Sequence, residues 1–107
     1  MYQKRNKIDD MAKINFQAFR IPASINKSQY QTGDARESVA NMLYLNVNGI
    51  RAHALALKIY RSEGETDFNN EEVRTLREVA ETYGTPAFID GLNEQLESTK
   101  GSENLKS

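Results

Sequence analysis

The chain has 107 residues, 38% hydrophobic and 27% charged, with a formal net charge of −1. That length gives one domain with room for a lean core. The absence of cysteine excludes disulfides, thiolate metal sites and a cysteine nucleophile, and the single histidine excludes a multi-histidine metal site within one chain.

No stretch approaches the apolar length of a membrane span, and no secretory signal core appears. The sequence therefore predicts a soluble cytoplasmic protein with no membrane partner. The small net charge hides an asymmetry. Residues 1–62 hold ten Lys or Arg and four Asp or Glu (10 − 4 = +6), whereas residues 63–97 hold two Arg and ten acids (2 − 10 = −8). Two oppositely charged parts of one chain that pack together are the favoured explanation, ahead of head-to-tail pairing and nucleic-acid binding.

Residues 1–12 read as a mobile, charge-rich arm. Met11 opens a plausible chain start, which would make the first ten residues an upstream extension. The run Lys13–Ile21 alternates at Ile14, Phe16 and Ala18, which predicts a short strand, although the alternation slips at Phe19. Pro22 is expected to end it. Residues 22–33, rich in Ser, Asn and Gln, read as loop.

A helix is predicted from Asp34, with Asp34 as cap and Glu37 at the capping-box spacing. Val39, Leu43, Val47, Ile50, Ala54 and Leu57 then recur in steps of three and four, one stripe on a helix. Asn48-Gly49 interrupts this pattern with a strong hairpin signal. The retained phase favours a continuous or kinked helix over residues 35–61, ahead of two helices broken at Gly49 and a hairpin there. A continuous helix would make Gly49→Ala stabilising.

Residues 62–68 read as loop. Asn69 caps the next helix, Glu72 completes the box, and Phe68 is placed to staple onto Val73. Val73, Leu76, Val79, Ala80 and Tyr83 form its apolar face. Gly84 is expected to end it in a left-handed conformation, with Thr85 and Pro86 opening a last helix. Phe88, Ile89, Leu92 and Leu96 face inward, and residues 98–107 read as a disordered tail. The fold class is mainly α, with three to four helices and an N-terminal extended segment within a domain over residues 13–97. The alternative is α+β with a hairpin at Asn48-Gly49.

Chemistry-bearing patterns are sparse. The segment Val73–Leu96 has the outline of a helix-turn-helix, but its second helix offers Asp90, Glu94 and Glu97 where phosphate contact needs cations. The acidic loop around Gly64 fits no calcium-loop register. No phosphate loop, nucleophile motif or acid–base pair stands out. The sequence thus predicts no catalytic, cofactor-binding or metal-binding residues and no enzyme. It predicts an interaction or regulatory protein that self-associates as a homo-oligomer through Leu43, Val47, Ile50, Ala54 and Leu57, or that engages another protein. The second reading is a nucleic-acid-binding accessory protein using the basic N-terminal half, where Arg51, Lys58 and Arg61 could form a basic patch.

Overall fold

A computed structural model describes residues 11–106, with side chains described through Glu97. The arm predicted for residues 1–12 thus lies, over 1–10, outside the described residues. Eight elements follow in chain order: β1 (Ala12–Ile14), β2 (Phe19–Pro22), β3 (Tyr30–Gly33), α1 (Arg36–Asn46), α2 (Ile50–Arg61), β4 (Thr66–Phe68), α3 (Asn70–Tyr83) and α4 (Pro86–Lys106). Of the tail predicted for 98–107, the side chains and Ser107 lie outside the described residues.

The architecture is α+β rather than mainly α, because short strands form in both stretches read as loop. Each of the two sheets has two antiparallel strands. In the first, Ala12, Lys13 and Ile14 of β1 pair with Phe68, Asp67 and Thr66 of β4. Ala12, Ile14 and Phe68 face the core while Lys13 and Asp67 pair outside at 2.8 Å, the inside–outside alternation of a half-buried sheet. The slip in the sequence pattern at Phe19 has a physical cause. The Asn15 side chain accepts the Ala18 N–H at 2.9 Å, turning the chain so that β1 stops and β2 begins.

The second sheet is a hairpin of β2 and β3, with Ile21 opposite Gln31 and Phe19 opposite Gly33. Pro22 ends β2 as expected, as its last residue and opposite Tyr30. The Ser- and Asn-rich run forms the turn. Ala23 N–H donates to Gln29 at 2.8 Å, and Asn26 accepts from the Ser24 hydroxyl and the Ser28 N–H. The hairpin lies on α4 at Gly91, where an added Cβ would stand 2.8 Å from the Arg20 carbonyl oxygen. Gly91 is therefore glycine because β2 needs its space. The Tyr30 hydroxyl donates to Glu94 at 3.1 Å and Lys27 lies 3.4 Å from the same carboxylate, fastening the hairpin to α4.

The helices meet the sheets in one core. Phe16 stacks on Phe19 at 5.4 Å and meets Phe68 edge-on at 5.7 Å, and Phe19 contacts Phe88 at 5.3 Å. These are all four phenylalanines of the chain. They join both sheets to α4, and offset and edge-on ring pairs of this kind add about 0.5–1.5 kcal/mol each beyond area burial. Val39 and Leu43 of α1, Leu55 and Ile59 of α2, Leu76 and Val79 of α3, and Leu92 and Leu96 of α4 complete the core.

The predicted long helix is two helices. Gly49 adopts φ 107° and ψ 158°, a conformation open essentially only to glycine, and this ends the α1–α2 connection. No strand forms at Asn48-Gly49, so the hairpin expected there is absent too. At the start of α1 the expected Asp34 cap is missing; Ala35 is the N-cap and no side chain caps it. Asp34 instead accepts from the Arg36 N–H and holds the Arg36 guanidinium through both oxygens. The start of α3 follows the sequence: Asn69 accepts from Glu72 N–H at 2.8 Å and Glu72 accepts from Asn69 N–H at 2.9 Å. Thr85 likewise caps α4, accepting from Phe88 N–H. Gly84 is not left-handed (φ −87°). An added Cβ there would lie 2.7 Å from the Ala80 carbonyl oxygen, so its glycine serves close approach. Tyr83, expected on the apolar face of α3, is half exposed.

Candidate interaction surface

The stripe predicted as one surface divides at the α1–α2 break. Leu43 is fully buried in the core of its own chain and so is withdrawn from any intermolecular contact. Val47 is half-buried against that core. Beyond Gly49 the orientation reverses. α2 turns Ala52, Leu55, Ala56 and Ile59 inward. With 3.6 residues per turn, Ile50, Ala54 and Leu57 then fall on the opposite, outward face. Ile50 is 82% exposed, Ala54 is exposed and Leu57 is half-buried. The phase across residues 47–50 is preserved only in the sequence, because a non-helical connection lets α2 choose its own azimuth.

The same corner exposes two large side chains that the sequence reading left out. Tyr44 is 62% exposed and Leu45 is 72% exposed, both in the last turns of α1. The His53 ring lies 5.9 Å from the Tyr44 ring, linking the two helices at the surface. Tyr44 and Leu45 fall between stripe positions, so periodicity alone passed over them. Their signal in the sequence is size: two large residues off the buried stripe, immediately before an Asn-Gly break.

The basic patch meets a different environment. Arg51 and Lys58 line a groove of about 450 Å³ between α2 and the start of α3, together with Glu71 and Glu72. Arg51 pairs with Glu71. The Lys58 ammonium donates to both oxygens of Glu72 at 3.0 and 3.2 Å, and sits 4.6 Å from the centroid of the Phe68 ring. Arg61 stands exposed in the last turn of α2. The structure therefore brings Arg51 and Lys58 together, but each faces a carboxylate of the capping turn of α3.

Charge pairing elsewhere follows the same division. Lys13 pairs with Asp67, and Lys27 faces Asp90 and Glu94. Asp67 holds the Lys13 ammonium above its ordinary value through its hydrogen bond, and the charge of Asp90 and then a hydrogen bond to Glu94 raise Lys27 likewise. Among the described residues, four cations of the basic half lie against carboxylates of the acidic half, which is intramolecular neutralisation. Burial, and then its hydrogen bond to Glu94, pushes the Tyr30 phenol up.

Among the described residues no helix is long and apolar enough to cross a membrane, and no three His, Cys, Asp or Glu side chains are grouped to hold a metal ion. Compared with known proteins, the chain matches no family model, no curated protein and no solved structure.

Proposed function

We propose that this is a small non-catalytic interaction protein that self-associates through the outward face of α2. The observation that supports this reading is the placement of Ile50, Ala54 and Leu57 opposite the buried face of the same helix, with Tyr44 and Leu45 exposed beside them. An isologous contact needs a self-complementary patch. Two antiparallel α2 helices centred on Ala54 meet that need. The small alanine permits close approach at the axis, and Ile50 of each chain packs toward Leu57 of the other. Burying such a side chain is worth about 1.5–3 kcal/mol. Glu71 and Glu72 assist, because they neutralise Arg51 and Lys58, which would otherwise set two basic flanks against each other.

Sedimentation equilibrium of the wild type and of Ile50→Glu tests this. The expected result is a wild-type mass above the 12.1 kDa of one chain that falls in Ile50→Glu, with an unchanged circular dichroism spectrum. A wild type that stays at one chain mass at high micromolar concentration overturns the reading.

A further inference from the structure

The two small sheets treat their outer edges differently. The β1–β4 sheet is guarded by charge: Lys13 stands on β1, Asp67 on β4, and Glu65 directly before β4. Inward or edge charges of this kind discourage pairing with another chain. The hairpin has no such guard on its outer strand. Residues 28–33, Ser-Gln-Tyr-Gln-Thr-Gly, carry no charge and no proline. Gln31, Thr32 and Gly33 are exposed, and no described strand lies on the far side of β3.

The ladder tells which groups face out. The Ala23 N–H to Gln29 bond fixes the hydrogen-bonded pair that closes the turn. Antiparallel pairs alternate, so Ile21 with Gln31 and Phe19 with Gly33 are the bonded pairs of the hairpin. Tyr30 and Thr32 then direct their backbone N–H and C=O groups away from β2. The outer edge thus offers two donors and two acceptors with a spacing that another extended strand can meet.

We infer that β3 is a strand-pairing edge for β3 of a second copy, joined antiparallel about Gln31 to make a continuous four-stranded sheet. In this register Tyr30 of each chain exchanges both backbone bonds with Thr32 of the other. Charge selects the copy and the direction. Asp34 follows β3 and Lys27 lies in the turn before it. Both charges are engaged within their own chain, Lys27 with Asp90 and Glu94 and Asp34 with Arg36, but both stay about half exposed. Antiparallel pairing about Gln31 sets Asp34 of each chain alongside the turn that carries Lys27 of the other. Parallel pairing would set like charges together. The hairpin is also stiffened in advance, by the Ser24–Asn26–Ser28 hydrogen bonds in its turn and by the Arg20 guanidinium 3.6 Å over the Tyr30 ring. Such preorganisation lowers the ordering cost of adding a strand. This edge is separate from the outward face of α2.

The chain has no cysteine, which permits a direct test. Across a non-hydrogen-bonded antiparallel pair the Cα atoms stand about 4.5 Å apart, within the span of a disulfide. Gln31→Cys is made in the Ile50→Glu background, so that association through α2 cannot contribute, and is compared with Glu78→Cys on the exposed side of α3 in the same background. Under mild oxidation Gln31→Cys is expected to form covalent dimers severalfold faster than Glu78→Cys. Adding Thr32→Pro to Gln31→Cys removes one outward donor and is expected to bring the rate down to the control. Because proline can also disturb the hairpin, Thr32→Glu serves as an alternative: it faces Arg20 within the hairpin, sets two carboxylates across the pairing, and is expected to slow the cross-link in the same way. Equal rates for Gln31→Cys and Glu78→Cys, or a fast cross-link that survives both edge changes, would overturn the inference.

Discussion

α1 and α2 lie next to each other in sequence and carry apolar residues in the same apparent phase, yet they use them oppositely. In α1 the stripe points inward, so Val39 and Leu43 are buried. In α2 the continuation of that stripe points outward, and the core is filled instead by Ala52, Leu55, Ala56 and Ile59. The difference comes from the connection over residues 47–49. A rigid helix transmits phase from one end to the other; an extended connection with a glycine at positive φ does not. Periodicity is therefore evidence about a face only within one unbroken element.

Substitution at matched positions of the two helices gives the sharpest contrast. Leu43→Ala leaves a cavity in a site with no exposure, and is expected to cost about 2–5 kcal/mol. Ile50→Ala removes a side chain that is 82% exposed, and is expected to stay within about 0.5 kcal/mol for the monomer. Urea unfolding of both variants at low protein concentration reads the difference as a shift in midpoint. Equal losses would mean that one continuous stripe is buried after all, and that the two helices do not differ.

The connection itself is the next lever. Gly49 has nothing within 4 Å of an added Cβ, so space does not require glycine there. Its φ of 107° does. The continuous-helix expectation made Gly49→Ala stabilising; the structure reverses the sign. Strain at such a φ costs about 1–3 kcal/mol, and the stiffer unfolded chain returns a few tenths to about 1 kcal/mol. The net expectation is a loss of about 1–2 kcal/mol in the same unfolding assay. A gain in stability would restore a helical Gly49.

These cases show what could be read in advance. The start of α3 was legible because its determinants are local: Asn69 and Glu72 satisfy each other's backbone within one turn. The same holds for Thr85 and Pro86 at α4. The apolar positions of α3 and α4 were also legible, except Tyr83. What escaped depends on distant partners. β4 exists because β1 is there to pair with it, and a three-residue strand carries too short a pattern to announce itself. β3 was hidden by polar residues that suit an exposed edge as well as a loop. Gly91 gave no local sign, since its reason is the backbone of β2 more than sixty residues away. Of the candidate surface, Ile50, Ala54 and Leu57 were found by the stripe, but with the wrong neighbours. Leu43 belonged to the core, and Tyr44 and Leu45 were missed.

The smallest expected effect concerns the first turn of α1, where Asp34 was expected to cap the helix and instead clamps Arg36. The guanidinium also donates to the Ser62 carbonyl oxygen at 2.9 Å, so the clamp ties the beginning of α1 to the end of α2. The hydrogen bonds from Arg36 hold the Asp34 carboxyl below its ordinary range. The folded state therefore binds this proton less readily than the unfolded chain does. Linkage then fixes the sign: the contribution is present above the ordinary aspartate value, about 3.9, and is lost as pH falls through the lower folded-state value. Exposure to solvent keeps the effect small. Asp34→Asn keeps an acceptor for the Arg36 N–H but removes the charge. The difference in urea midpoint between wild type and Asp34→Asn is expected to favour the wild type at pH 7 and to shrink steadily as the pH is taken below 4. No difference at pH 7 would mean that Asp34 acts on α1 through its backbone hydrogen bond alone, because asparagine keeps that acceptor. The link from α1 to α2 would then rest on the Arg36–Ser62 contact without help from the carboxylate.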